Sequence, residues 1–172
     1  QRQLLPKKIE ALAGQRVVAV LAGDEHSLAL TADVVWSCGR GHYGMLGHDD
    51  QRSLLLPNKI EALAGQRVVA VSAGRYHSFA LTADGAVCSW GGGSCGQLGH
   101  GDEQEQLLPK KVEAFADQRV IAVSTGPYHS IALTADSAVF TWGKGEQGCL
   151  GHGEDESNQL LPKKIEVWAP GR

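Results

Sequence analysis

The chain has 172 residues, 42% of them hydrophobic and 20% charged, and a net charge of -3, an ordinary globular composition apart from a high share of glycine. A mildly acidic balance lacks the basic footprint of a general nucleic-acid binder, so nucleic acid is an unlikely partner, and no apolar run approaches the roughly 18 residues of a membrane span. The opening Gln1-Arg2-Gln3-Leu4-Leu5-Pro6 has no apolar core of a secretory signal; Cys38, Cys88, Cys95 and Cys149 make no CxxC pair. Four free thiols and no membrane signal point to an intracellular protein, cytoplasmic or nuclear.

In chain order, the first feature is Leu5–Val20, which returns as Leu56–Val71 with the single exchange of Lys7 for Asn58, and again as Leu108–Val123 with a few more changes. A second stretch, Gly74–Asp84, recurs from Gly23 to Asp33 and from Gly126 to Asp136. Pro6, Pro57, Pro109 and Pro162 are spaced by 51, 52 and 53 residues, a period that fits propeller blades. The whole chain, 1–172, reads as one repeat domain with units at 1–50, 51–102 and 103–155 and a final outer strand within 156–172; outer-type strands are expected at Pro6–Leu12 and at Pro162–Val167, one of them surplus to three complete blades.

Within the second unit four short strands are predicted. Lys59–Leu63, entered through Pro57, is an outer edge strand because proline cannot donate to a central ladder. Val68–Ala73 carries a near-continuous Val-Val-Ala-Val and is expected to be buried on both faces. His77–Thr82 turns at Ala83-Asp84-Gly85, a hairpin signal, and Val87–Trp90 returns. Gly91–His100 is then a glycine-rich loop. Gly65 and the valines after it argue against a helix over Ile60–Val71. The fold class is therefore all-β: three tandem four-stranded antiparallel blades of a β-propeller.

Gly-x-x-His-Ser-x-Ala-Leu followed by Trp-Gly-x-Gly-x-x-Gly-x-Leu-Gly-His-Gly, seen in Gly74–Leu81 with Trp90–Gly101 and in Gly126–Leu133 with Trp142–Gly153, resembles the repeat of the regulator of chromosome condensation family. The resemblance covers nearly the whole chain. It implies a ring of about seven blades, on proteins as different as exchange factors for the small GTPase Ran, plant ultraviolet receptors and ubiquitin ligases. Three blades then sweep less than half a circle and leave two open faces without polar caps. The first unit departs from the motif: its hairpin is one residue shorter and Cys38 replaces the motif tryptophan, so that blade is expected to be the least well packed. Against the Gly-Trp-Arg-His-Thr of the ultraviolet receptors, this chain has Gly23-Asp24-Glu25-His26-Ser27 and lacks the tryptophan cluster. No insertion is present that could act as the wedge of a Ran exchange factor.

His26, His77 and His129, one per unit, raise a metal site or a set of bases. The spacing matches no known ligand set, and a histidine at a fixed repeat position is expected to satisfy a carbonyl or the adjacent serine within its own blade. Trp36, Trp90 and Trp142 are assigned to the space between blades. His48, His100 and His152, after Leu-Gly in the long loop, are candidate partner contacts together with Arg75, Tyr76 and Tyr128. The lysine pairs Lys7-Lys8, Lys110-Lys111 and Lys163-Lys164 blunt an exposed edge strand. Gly91-Gly92-Gly93-Ser94 lacks the lysine of a phosphate loop, and the acidic runs Asp102–Glu105 and Glu154–Glu156 read as solvated loops, with a divalent-cation site as the lesser alternative. No catalytic residue, metal or cofactor is assigned. The expected function is a non-enzymatic protein-interaction scaffold, self-associating as a homodimer or other homo-oligomer; the alternative is guanine nucleotide exchange on a small Ran-like GTPase. Near-identity of the repeats also fits a purely structural chain.

Overall fold

A computed structural model describes residues 4–32 and 34–166. Two positions used in the sequence reading, Asp33 of the first hairpin and Val167 at the end of the last strand, lie outside the described residues.

Three four-stranded antiparallel sheets follow one another. The first is β1 (Val17–Ala22), β2 (His26–Thr31), β3 (Val35–Gly39) and β4 (Leu54–Lys59); the second is β5 (Val68–Ala73), β6 (His77–Thr82), β7 (Val87–Gly91) and β8 (Gln106–Lys111). The third is β9 (Val120–Thr125), β10 (His129–Thr134), β11 (Val139–Gly143) and β12 (Gln159–Lys164). No α-helix occurs among the described residues, and no helix is long and apolar enough to cross a membrane. The inner strands β1, β5 and β9 pack beside one another.

The proline-bearing strand corrects the expectation for Lys59–Leu63. The strand is Leu54–Lys59 with Pro57 inside it, and Glu61–Leu63 is a 3-10 turn. Pairing with β3 skips between Ser37 and Gly39, which leaves the proline in the irregular stretch where a missing N–H costs no ladder bond. The Ile60 N–H then donates to Val35 O, and the Leu63 N–H turns back to Ile60 O. Three-residue spacing puts Ile60 and Leu63 on one side of the turn, both buried.

Each proline strand belongs to the sheet before it, so β12 completes the third blade. The surplus segment is the N-terminal one, and the strand expected from Pro6 to Leu12 does not form: Glu10–Leu12 is a 3-10 turn and no strand precedes it among the described residues. Among the described residues it has no third strand to pair with.

The inner strands also differ from the reading of burial on both faces. A bulge in each, between Val17 and Ala19, Val68 and Ala70, and Val120 and Ala122, turns the intervening residue outward. Val69 is 49% exposed where Val68 and Val71 are buried.

Hydrophobic cores lie between blades. Leu28, Leu30 and Val35 of the first blade meet Val71, Ala80 and Trp90 of the second, with Ile60 and Leu63 of the connecting turn beneath. Phe79, Leu81 and Val87 of the second meet Ala132 and Trp142 of the third, and Phe115 packs edge-on against Trp142. A propeller blade cannot bury its sheet alone, which is why the seams carry the largest side chains.

Candidate interaction surface

Both seams are tied by the same polar network. At the first, His26 Nε2 lies 2.8 Å from Ser78 Oγ, Ser78 Oγ donates to Met45 O at 2.9 Å, and Trp90 Nε1 donates to the same carbonyl at 3.0 Å. At the second, His77 Nε2 lies 3.1 Å from Ser130 Oγ, and Ser130 Oγ and Trp142 Nε1 both donate to Gln97 O, at 2.8 and 2.9 Å. A serine hydroxyl has one hydrogen, and it is spent on the carbonyl; each histidine therefore donates from Nε2 and is the neutral Nε2–H tautomer. Burial enforces the same form, pushing His26 down to about 4 and His77 to about 3, the latter helped by its neighbours His26 and His129. The serine engaged is in the next blade, not in the histidine's own blade as the repeat spacing alone suggests. Loop glycines make room for this: a Cβ on Gly47 or Gly99 would sit 3.0 or 2.9 Å from the indole nitrogen of Trp90 or Trp142.

The three tryptophans of the repeats are not equivalent. Trp90 and Trp142 are the seam residues, whereas Trp36 pairs with Ala29 and so stands at the position of Cys88 and Phe140, with Lys59 Nζ 5.4 Å from its ring centroid. Cys38 occupies the seam position in the first blade, on a face that no other described blade covers. His48, His100 and His152 face inward on their own blades, at 2.8, 2.9 and 3.1 Å from Ser37, Ser89 and Thr141, whose hydroxyls donate to the Leu46, Leu98 and Leu150 carbonyls. They clamp the long loop in place. All four cysteines are free thiols.

The loops joining inner to second strand and third to outer strand gather at one end of the molecule. Here Arg75, Tyr76 and Tyr128 come together with a residue the sequence reading missed, Tyr43. Ring centroids are 5.4 Å apart for Tyr43 and Tyr76 and 5.9 Å for Tyr76 and Tyr128. Arg75 Nη1 donates to the Tyr128 hydroxyl at 3.0 Å, its guanidinium lies 5.1 and 5.6 Å from the Tyr76 and Tyr128 rings, and Lys144 Nζ lies 5.7 Å from the Tyr128 ring. The tyrosines wall a groove of about 530 Å³ whose other sides are Gly92, Gly93, Ser94, Gln97 and the segment Glu103–Glu105. Tyr43 was invisible to repeat logic because it aligns with Cys95 and Gln147, not with the other tyrosines; its left-handed backbone, φ 57°, swings the ring to them.

Charge at this end is one-sided. Loops 23–25, 40–53, 74–76, 92–105, 126–128 and 144–158 hold eleven carboxylates and four arginine or lysine side chains. All four cations are already paired: Arg40 with Glu25, Arg52 with Asp50, Arg75 with Asp24 and Lys144 with Glu146. No cluster suited to a metal ion occurs among the described residues.

Three sheets stacked edge to axis, each closed by the strand of the following repeat, define a β-propeller arc. The chain belongs to the regulator of chromosome condensation (RCC1) repeat family, whose repeat matches residues 33–81, 84–133 and 136–169. It is 42% identical over 160 residues to the human E3 ubiquitin-protein ligase HERC2, covering 91% of this chain and 3% of that protein. To the ultraviolet-B receptor UVR8 of Arabidopsis thaliana it is 38% identical over 162 residues, covering 93% of this chain and 37% of the receptor. Its fold matches the crystal structure of Prp20p from Saccharomyces cerevisiae with a TM-score of 0.80 at 24% identity, over 88% of this chain and 38% of that one. The chain thus spans well under half the length of these relatives.

Proposed function

We propose that the chain is a non-enzymatic protein-interaction scaffold of the cytoplasm or nucleus, and that its arc self-associates through its outer blade faces. The observation that carries the reading is that both outer faces present the parts that the internal seams bury. On the first blade Val20 is 71% exposed, whereas its counterpart Val71 is 6% exposed. Ser27, counterpart of the seam serines, is exposed there as well. On the third blade Ile131 is 37% exposed where its counterpart Phe79 is buried. His129 and the Cys149 carbonyl stand in the places that His77 and Gln97 O hold at the second seam, facing a serine that a further blade would bring. The two faces are halves of the same joint, so one arc fits the next head to tail.

Sedimentation equilibrium at micromolar concentration tests this. A homodimer or larger closed assembly is expected; a well-folded monomer at all concentrations overturns self-association. Exchange on a small Ran-like GTPase is the second reading. What favours it is the fold shared with Prp20p, a protein studied for its binding to Gsp1p and histones. Accelerated release of labelled nucleotide from a GTPase captured by the chain would promote that reading over the scaffold.

A further inference from the structure

Resting on the scaffold reading, we propose that the tyrosine groove is the seat of a basic peptide segment, with one arginine side chain of the partner lying against Tyr43, Tyr76 and Tyr128. Electron-rich ring faces attract a guanidinium, and a planar cation stacks on them better than a lysine does. These rings already hold cations of their own chain, Arg75 and Lys144. The groove's far side is Glu103–Glu105, and neither carboxylate has an ion-pair partner among the described residues; Glu105 only accepts a hydrogen bond from Gln51 at 3.3 Å. With every cation of this end matched to an acid and Asp155 held by Lys163 from the adjoining strand, six carboxylates of this end are left over, and they select a positively charged partner.

A second, independent feature calls for a peptide backbone. Gln97 lines the groove and is 1% exposed. Its Oε1 accepts the Cys95 N–H at 2.9 Å, while Nε2 has no hydrogen-bond partner. A buried amide donor left idle is costly, and a carbonyl oxygen of a segment seated in the groove satisfies it. The partner chemistry is thus an extended peptide bearing arginine. The acids draw it in, the tyrosines stack its guanidinium and Gln97 fixes its backbone.

The probe is a fluorescein-labelled octapeptide of alternating glycine and arginine, read by anisotropy against the full chain, with glycine-glutamine and glycine-glutamate octapeptides alongside. The arginine peptide is expected to bind, more weakly as salt rises, and the other two not to. Tyr43→Ala, the double change Glu103→Gln with Glu105→Gln, and Gln97→Met should each weaken binding about fivefold or more. Tyr43 and both glutamates are exposed, so these variants keep the fold, and far-ultraviolet circular dichroism verifies it. Equal binding by the wild type and all variants overturns the proposal, as does preference for the glutamate peptide. A partner protein captured by the wild type and lost with Tyr43→Ala, in a chain that ignores the arginine peptide, also overturns it while leaving the scaffold reading in place.

Discussion

Residues 5–20 and 56–71 differ at one position in sixteen, yet they occupy different structures. In the second copy, residues up to Lys59 form an outer strand on β3, and Ile60 and Leu63 are 2% and 3% exposed. In the first, no strand forms before the 3-10 turn among the described residues, Ile9 is 50% exposed, and Val20 faces outward. Sequence cannot account for this, because the single exchange is Lys7 for Asn58 and the third copy, with Lys110 at that position, forms the strand as well. The first blade supplies the edge and the apolar face to the second copy, and among the described residues nothing equivalent packs on the first. Burial in a repeat protein is a property of adjacency, with each unit's stability arriving largely through its interfaces.

The sharpest way to break the comparison is to truncate the same isoleucine twice. Ile60→Ala is expected to cost about 2–5 kcal/mol, and Ile9→Ala to stay within about 0.5 kcal/mol, the range of exposed positions. Urea unfolding at low protein concentration measures both. Equal costs would mean that the first blade is covered. A cost for Ile9→Ala that grows with concentration would report a second arc closing over that face.

Histidine gives a finer version. His77 is wholly buried and tied to Ser130, so His77→Ala should cost about 1–3 kcal/mol by leaving that seam incomplete. His129 occupies the same repeat position without a following serine and should cost clearly less. The pH profile separates them further. Folded His26 and His77 titrate near 4 and 3, below the ordinary 6.5 of the unfolded chain. Below pH 6.5 the unfolded state therefore binds more protons. Stability is undiminished above that pH and falls as the pH drops towards 4 and then 3, by up to about 1.4 kcal/mol per pH unit for each histidine. His77→Ala removes one histidine's share of the slope between pH 6.5 and 4.5. An unchanged slope would show that this histidine is not buried neutral.

The smallest effect lies in the hairpins. Gly85 closes the second with φ 89°, whereas Ser137 closes the third with φ 68°, a conformation that a side chain resists. Ser137→Gly should raise stability by up to about 1 kcal/mol, seen as a higher urea midpoint. A loss would mean that the serine side chain stabilises the turn.

Much of this architecture was legible because alternation and hairpin chemistry are local. His77–Thr82 and its Asp-Gly turn were placed as they occur, and Val87–Trp90 falls one residue short of the strand's end. The proline segment was placed too late in the chain, because Ile60 and Leu63 look like strand residues until their three-residue spacing is read as a 3-10 turn. Trp36 was grouped with Trp90 and Trp142 although Cys38 stands at the motif tryptophan position; pairing with Ala29 shows that Trp36 lies two residues away from it along the strand. The surface was legible in part. Arg75, Tyr76 and Tyr128 sit at repeat positions and could be singled out, but Tyr43 reaches them from an unrelated loop position, and Gln97 is distinguished only by an amide left without a partner.

Closing each sheet with a strand of the next repeat also sets the order of events during synthesis. A sheet with three strands already outside the ribosome must wait for the next fourteen or so residues, about one to three seconds at ordinary elongation rates. During that interval the free edge of β3 is open to any passing strand. The glycine-rich linker from Arg40 to Ser53 fills the wait, and its folded form, clamped by His48 on Ser37, brings the incoming Leu54 to Gly39. Assembly is thereby vectorial: each repeat, as it emerges, seals the one before it.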